Sequence, residues 1–165
     1  MRLFVTYMEM TQPSEGAALP APCEGVAIEE TRLERAEYVA LYRAVGGPLD
    51  WDQRLRLEPA ALDAILAAPG ERIFVLKEAG RTLGLCEFDA ARMDDVELTH
   101  FGLVPEAQGR RLGPFLLRTA LRAVWNAGAR RIWLHTDTND HPKAQATYRR
   151  AGFTPFLERF EDFPD

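Results

Sequence analysis

The chain reads as an α/β (α+β) protein with a mixed, mostly antiparallel central sheet flanked by helices. Three observations predict this class. Three strand-like runs follow one another at 72–77, 82–89 and Val96–Leu103; a helix, strand, helix, strand order comes after them; and the first part of the chain carries two segments with apolar residues at helical spacing. At 165 residues, one domain spanning 1–165 is expected. Hydrophobic residues make up 47% and charged residues 27%, a composition that can bury a core and lies far from that of disordered chains.

The elements follow in order. Residues 3–10 are short and β-rich, and the Pro- and Gly-containing stretch 12–24 is a loop. Over 31–45, Leu33, Ala36, Ala40, Leu41 and Ala44 recur at helical spacing until Gly46-Gly47-Pro48 stops the pattern. A second helix is expected at 59–68, with Pro59 at its start and Pro69-Gly70 after it. A turn at 78–81 joins the first two strands of the meander. Leu112, Leu116, Ala120, Leu121, Val124 and Trp125 then mark a long amphipathic helix ending near Gly128. A strand at 131–136, a helix at 143–151 and a strand at 153–160 complete the chain.

Several classes of function are disfavoured. The net charge of −5 gives no general affinity for nucleic acid. No apolar stretch approaches the roughly 18 residues of a membrane span, and the N-terminus lacks a signal-peptide pattern, so no membrane partner and a cytoplasmic location are expected. Cys23 and Cys86 lack CxxC spacing, which argues against a disulfide framework or a cysteine zinc site. The segment HTDTNDH, 135–141, matches no established metal-ligand spacing, and no metal is expected. Neither a GxSxG elbow nor a GxxxxGK phosphate loop occurs.

The most specific feature is QGRRLG, Gln108, Gly109, Arg110, Arg111, Leu112 and Gly113, placed between a strand ending near Pro105 and a long helix. A turn feeding a helix N-terminus presents unpaired backbone N–H groups and the positive end of the helix dipole, which suit a pyrophosphate. Glycine lets the backbone approach such a ligand. Arg110, Arg111, Arg118, Arg122, Arg130 and Arg131 cluster in sequence around this loop, making an acidic chain basic where an anion would sit.

This loop resembles the signature of the GNAT superfamily of acetyltransferases: Gln or Arg, two residues, Gly, one residue, then Gly or Ala. Gln108 and Gly113 match, Arg111 replaces the middle glycine, and Pro114 contributes no N–H. The strand before the loop and the Ala151-Gly152-Phe153 motif preceded by Tyr148 extend the resemblance over about residues 72–160. It implies a GNAT acyltransferase fold, acetyl-CoA as acyl donor, and direct attack by a primary amine whose identity is open. A homodimer is allowed. In relatives the pantetheine arm pairs with the end of the fourth strand, here Phe101, Gly102 and Leu103, and the next strand splays away to open the cleft.

By the same resemblance Tyr148 is the general acid near the sulfur and Glu97 is the base, which requires a raised pKa. His100 is a competing base; strand alternation would place it opposite Glu97 unless a bulge intervenes. Either His141 or Asn139 stands where relatives hold an Asn for the CoA arm. Trp51 is expected to wall the amine pocket, with Asp50 or Asp52 attracting a cation. The alternative is a catalytically inactive acyl-CoA-binding sensor or interaction module.

Overall fold

A computed structural model describes residues 1–165. Seven strands, β1 (Arg2–Met10), β2 (Val26–Thr31), β3 (Glu71–Glu78), β4 (Arg81–Asp89), β5 (Val96–Leu103), β6 (Ile132–Asp137) and β7 (Thr154–Asp162), form one sheet in the order β2-β3-β4-β5-β6-β1-β7. Only β5 and β6 run parallel, and every other neighbouring pair is antiparallel. The mixed, mostly antiparallel sheet is therefore as expected. The helices are α1 (Arg35–Gly46), α2 (Pro59–Ala67), α3 (Leu112–Asn126) and α4 (Ala144–Ala151). None is long and apolar enough to cross a membrane.

One strand escaped the sequence pattern. The expected helix over 31–45 begins at Arg35, and Thr31 closes the edge strand β2. Along β2 only Val26 is buried, because nothing lies beyond this edge, so the alternation that marks a half-buried strand is absent. Its charges instead face β3, where Glu29 meets Lys77 and Glu30 meets Arg72. Charged residues on such an edge discourage further strand pairing.

The helices pack on both faces of the sheet. On one face Tyr38, Leu41, Tyr42 and Val45 of α1 and Leu62 and Leu66 of α2 are buried; on the other α3 buries Leu112, Leu116, Leu117, Ala120, Leu121 and Val124. Burial of each such side chain stabilises the fold by about 1.5–3 kcal/mol before the entropy of ordering it is counted. Gly152 ends α4 at φ +113°, with its N–H returned to the last turn. A Cβ there would stand 3.0 Å from Met10 and Ser14, which explains glycine in the Ala151-Gly152-Phe153 motif.

Candidate active site

The site begins with an irregularity in β5. Leu98 pairs with Phe88 of β4, but the next pair is His100 with Glu87, so Thr99 is an extra residue in the ladder. This bulge resets the alternation. Glu97 pairs with Asp89 and His100 with Glu87, and Asp89 and Glu87 point to one face of β4. Glu97 and His100 therefore share a face, contrary to the regular alternation that would separate them. Phe101 falls on the opposite face and meets Tyr148 of α4, with ring centroids 5.9 Å apart.

A second irregularity opens the sheet. β5 and β6 pair only at Val96 with Ile132 and Glu97 with Trp133, and the remainder of each strand has no partner in the other. Two cavities occupy the resulting space. One, of about 300 Å³, is lined by Phe101, Gly102, Leu103, Gln108, Gly109, Arg111, Leu112, Gly113 and His141. The other, of about 170 Å³, is lined by Asp50, Trp51, Asp52, Thr99, His100, His135, Asp137 and Asn139. Leu49, Phe101, Asp140 and Tyr148 belong to both walls. Tyr148 thus stands where the two spaces join, and burial raises its phenol well above the ordinary range.

The loop in the first cavity leaves a run of backbone donors free. None of the backbone N–H groups of Gly109, Arg110, Arg111, Leu112 or Gly113 finds an acceptor in the protein. Gly109 and Arg111 both adopt left-handed backbone, at φ +78° and +62°. The position where the signature has its middle glycine is therefore one that favours glycine, and Arg111 occupies it at a cost of about 1–2 kcal/mol. Amides aimed into a concave turn at the start of α3 make a cradle for phosphate oxygens.

Two residues assigned to the cofactor lie elsewhere. Arg110 turns outward and forks onto Glu78, with contacts of 3.0 and 2.6 Å, so the charge it would bring to a phosphate is already paired. Asn139 lines the second cavity, leaving His141 on the first; the turn that bonds the Asn139 N–H to Asp137 directs it there. The arginine band also divides. Arg131 is held by Glu9 and Asp95, whereas Arg118, Arg122 and Arg130 line a different cavity along α3.

Trp51 lines the second cavity. It packs on Gly46, where any Cβ would collide with the indole at 2.3 Å, and against Tyr42 and His100. Behind it lies a buried polar cluster that sequence reasoning did not find. Glu87, fully buried, accepts hydrogen bonds from Tyr38 Oη at 2.6 Å, His100 Nδ1 at 2.9 Å and Arg54 Nη2 at 2.9 Å. Burial pushes this carboxyl up, but the bonds from His100 and Glu71 and the nearby positive charge outweigh it and hold Glu87 well below the usual range. Glu71 goes the other way, raised by burial and by its hydrogen bond to the Glu87 carboxylate. The other ring nitrogen of His100 meets Tyr42 Oη at 3.2 Å, so both nitrogens are engaged.

His135 was also missed as a participant. It follows Trp133 on the partly exposed face of β6, lines the second cavity, and places Nε2 4.0 Å from Glu97 Oε1. Burial raises the Glu97 carboxyl, and His135 only partly opposes this. Asp137 on the same face is likewise raised by burial. Alternation along β6 was the available signal, since it sets residues 133, 135 and 137 on one side.

Comparison with known proteins identifies the family and the fold. Residues 32–153 match the family model described as acetyltransferase (GNAT) family. A Bacillus subtilis (strain 168) protein, provisionally named a ribosomal protein bS18-alanine N-acetyltransferase, is 28% identical over 129 residues, which are 78% of this chain and 81% of that protein. The fold is similar to a GCN5-related N-acetyltransferase from Sphaerobacter thermophilus (TM-score 0.64, 22% identity, 96% of this chain and 50% of that one). It is also similar to a tandem GNAT protein from the clavulanic acid biosynthesis pathway (TM-score 0.69, 18% identity, 96% and 51%). The chain thus spans about half the length of these two structures. An aminoglycoside acetyltransferase from an uncultured soil metagenomic sample superposes with TM-score 0.63 at 13% identity, over 78% of this chain and 88% of that one.

Proposed function

From the premise that the chain belongs to the GNAT family of acetyltransferases, we propose that it transfers the acetyl group of acetyl-CoA to a primary amine by direct attack. The observation that carries this reading is the junction of two cavities at Tyr148, one bordered by unpaired amides and the other by carboxylates. The amides of Gly109 to Gly113 hold the pyrophosphate, with Arg111 as the nearby cation. Phe101 to Leu103 border the same cavity at the end of β5, where the strand has no β6 partner to compete with an extended ligand.

The chemistry needs a neutral amine, a proton for the departing thiolate, and a base. Tyr148 supplies the proton: its hydroxyl is bonded to no group in the protein, and its raised pKa keeps it protonated until negative charge develops beside it. Glu97 takes up the amine proton through His135, which stands between it and the acceptor cavity. Its pKa, raised by burial, moves it toward the range a base needs near neutrality. His100 is the weaker base, since Glu87 and Tyr42 occupy both of its ring nitrogens.

Asp50 and Asp137 on the acceptor wall favour a cationic amine, whereas Asp52 is paired with Arg56 on the same wall. The names of the relatives point to two chemistries for a screen, a peptide with N-terminal alanine and an aminoglycoside. Thiol release from acetyl-CoA in the presence of such amines tests the reading. Tyr148→Phe is expected to lower kcat by about 10²–10⁴-fold with little change in acetyl-CoA affinity. Glu97→Gln should remove the acidic limb of the kcat/KM profile. Stabilisation by acetyl-CoA without thiol release from any amine would identify a sensor instead, and no stabilisation at all would remove the cofactor assignment.

A further inference from the structure

A cavity larger than either part of the acyl-transfer cleft lies elsewhere in the protein. It encloses about 600 Å³ between residues 10–19 and the C-terminal half of α3. Its charged wall residues are Arg118, Arg122 and Arg130, and no Asp or Glu contributes to it, although the chain carries 25 acidic residues against 20 basic ones. Several arginines elsewhere, Arg54, Arg72, Arg110 and Arg131 among them, each meet a carboxylate. Here the side chains of Arg118 and Arg130 make no hydrogen bond or ion pair, and Arg122 reaches only the carbonyl of Gly16 at 3.3 Å. The indole N–H of Trp125, on the same wall, is buried without an acceptor.

We infer that this cavity is a second binding site, separate from the acyl-transfer cleft, for a multivalent organic anion: a polycarboxylate or phosphate ester with an apolar body. Three arginines on the wall of one cavity, none of them paired with a carboxylate, suit bidentate oxyanion recognition. Leu121 and Trp125 supply apolar surface for the rest of the ligand, and the volume lies within the range of small-molecule sites. A ligand oxygen that reached the Trp125 edge by a small shift of the 10–19 segment would give the indole its missing partner.

The test is calorimetric titration of the full chain with citrate and with phenyl phosphate, using phenol as the uncharged control. One-to-one binding of either anion without binding of phenol is expected, and which anion binds more tightly separates the carboxylate source from the phosphate source. Arg118→Ala/Arg130→Ala, which breaks no bond within the protein, should weaken binding by at least about ten-fold at an unchanged melting temperature. Arg122→Ala should do so independently, and Arg111→Ala, in the 108–113 loop, should leave binding unaltered. Absence of binding by both anions, equal binding of phenol, wild-type affinity in the double variant, or loss of binding in Arg111→Ala would each overturn the inference.

Discussion

The two cavities that meet at Tyr148 are made from different parts of the chain. In the first, five consecutive amides from Gly109 to Gly113 are offered by turns within one short segment, and little beyond local backbone geometry is required. Behind the second, Glu87 of β4 is surrounded by Tyr38 of α1, His100 of β5 and Arg54 of the loop after α1, groups brought together from 13 to 49 residues away. A backbone site tolerates side-chain change, as Arg111 in a glycine position illustrates. A buried ionic site depends on every partner, because one lost group strands a charge away from water.

The largest expected effect follows from that dependence. Glu87→Ala should destabilise the fold by about 3–5 kcal/mol, measured by urea unfolding, since Arg54 would be left without its carboxylate. Glu87→Ala combined with Arg54→Met should recover much of the loss, and a double variant as unstable as the single one would show that the charge pair is not the cause.

The pH dependence divides between the two buried carboxyls. Glu87 is depressed in the folded state, so its contribution is present above the ordinary carboxylate range and is lost as pH falls through the folded value. Glu71 is raised, so its contribution is present below that range and is lost as pH rises toward its folded value. Glu71→Gln, which mimics the protonated acid, should therefore flatten the alkaline decline while leaving the acid limb in place. An unchanged alkaline slope would mean that Glu71 is ionised in the fold.

Smaller effects are expected where the backbone decides. Gly152→Ala should cost about 1–2 kcal/mol through its left-handed φ alone, with the close approach to Met10 and Ser14 adding to it. Arg111→Gly sits at the other end of the scale. Relief of its left-handed strain, offset by the greater freedom of glycine in the unfolded chain, should raise stability by about 0.5–1 kcal/mol. If the amides do the holding, acetyl-CoA affinity should change by no more than a few-fold, by calorimetry. A large loss would shift the donor site from backbone to guanidinium.

Features carried by short segments are legible in the residues alone. The strand at Val96–Leu103, the 108–113 loop, α3 with its apolar stripe, and Tyr148 before Gly152 all depend on local periodicity or turn chemistry, and the fold places them as expected. The edge strand β2 is not legible, because with one buried side chain it shows no alternation. The direction of Arg110 is not legible either, since its partner Glu78 lies 32 residues away on the end of β3.

The fold class, the order of most elements and the turn at the start of α3 can be read from the residues alone, because each is written within a few residues of chain. Tertiary packing set the surroundings of that turn. The bulge at Thr99 turned Glu97 and His100 to one face, the splay of β5 from β6 opened two cavities that meet at Tyr148, and packing from distant elements enclosed Glu87. The physical reason is that side-chain direction within a strand reverses with a single inserted residue, and burial, which sets the charge of a carboxyl, is a property of everything packed around it.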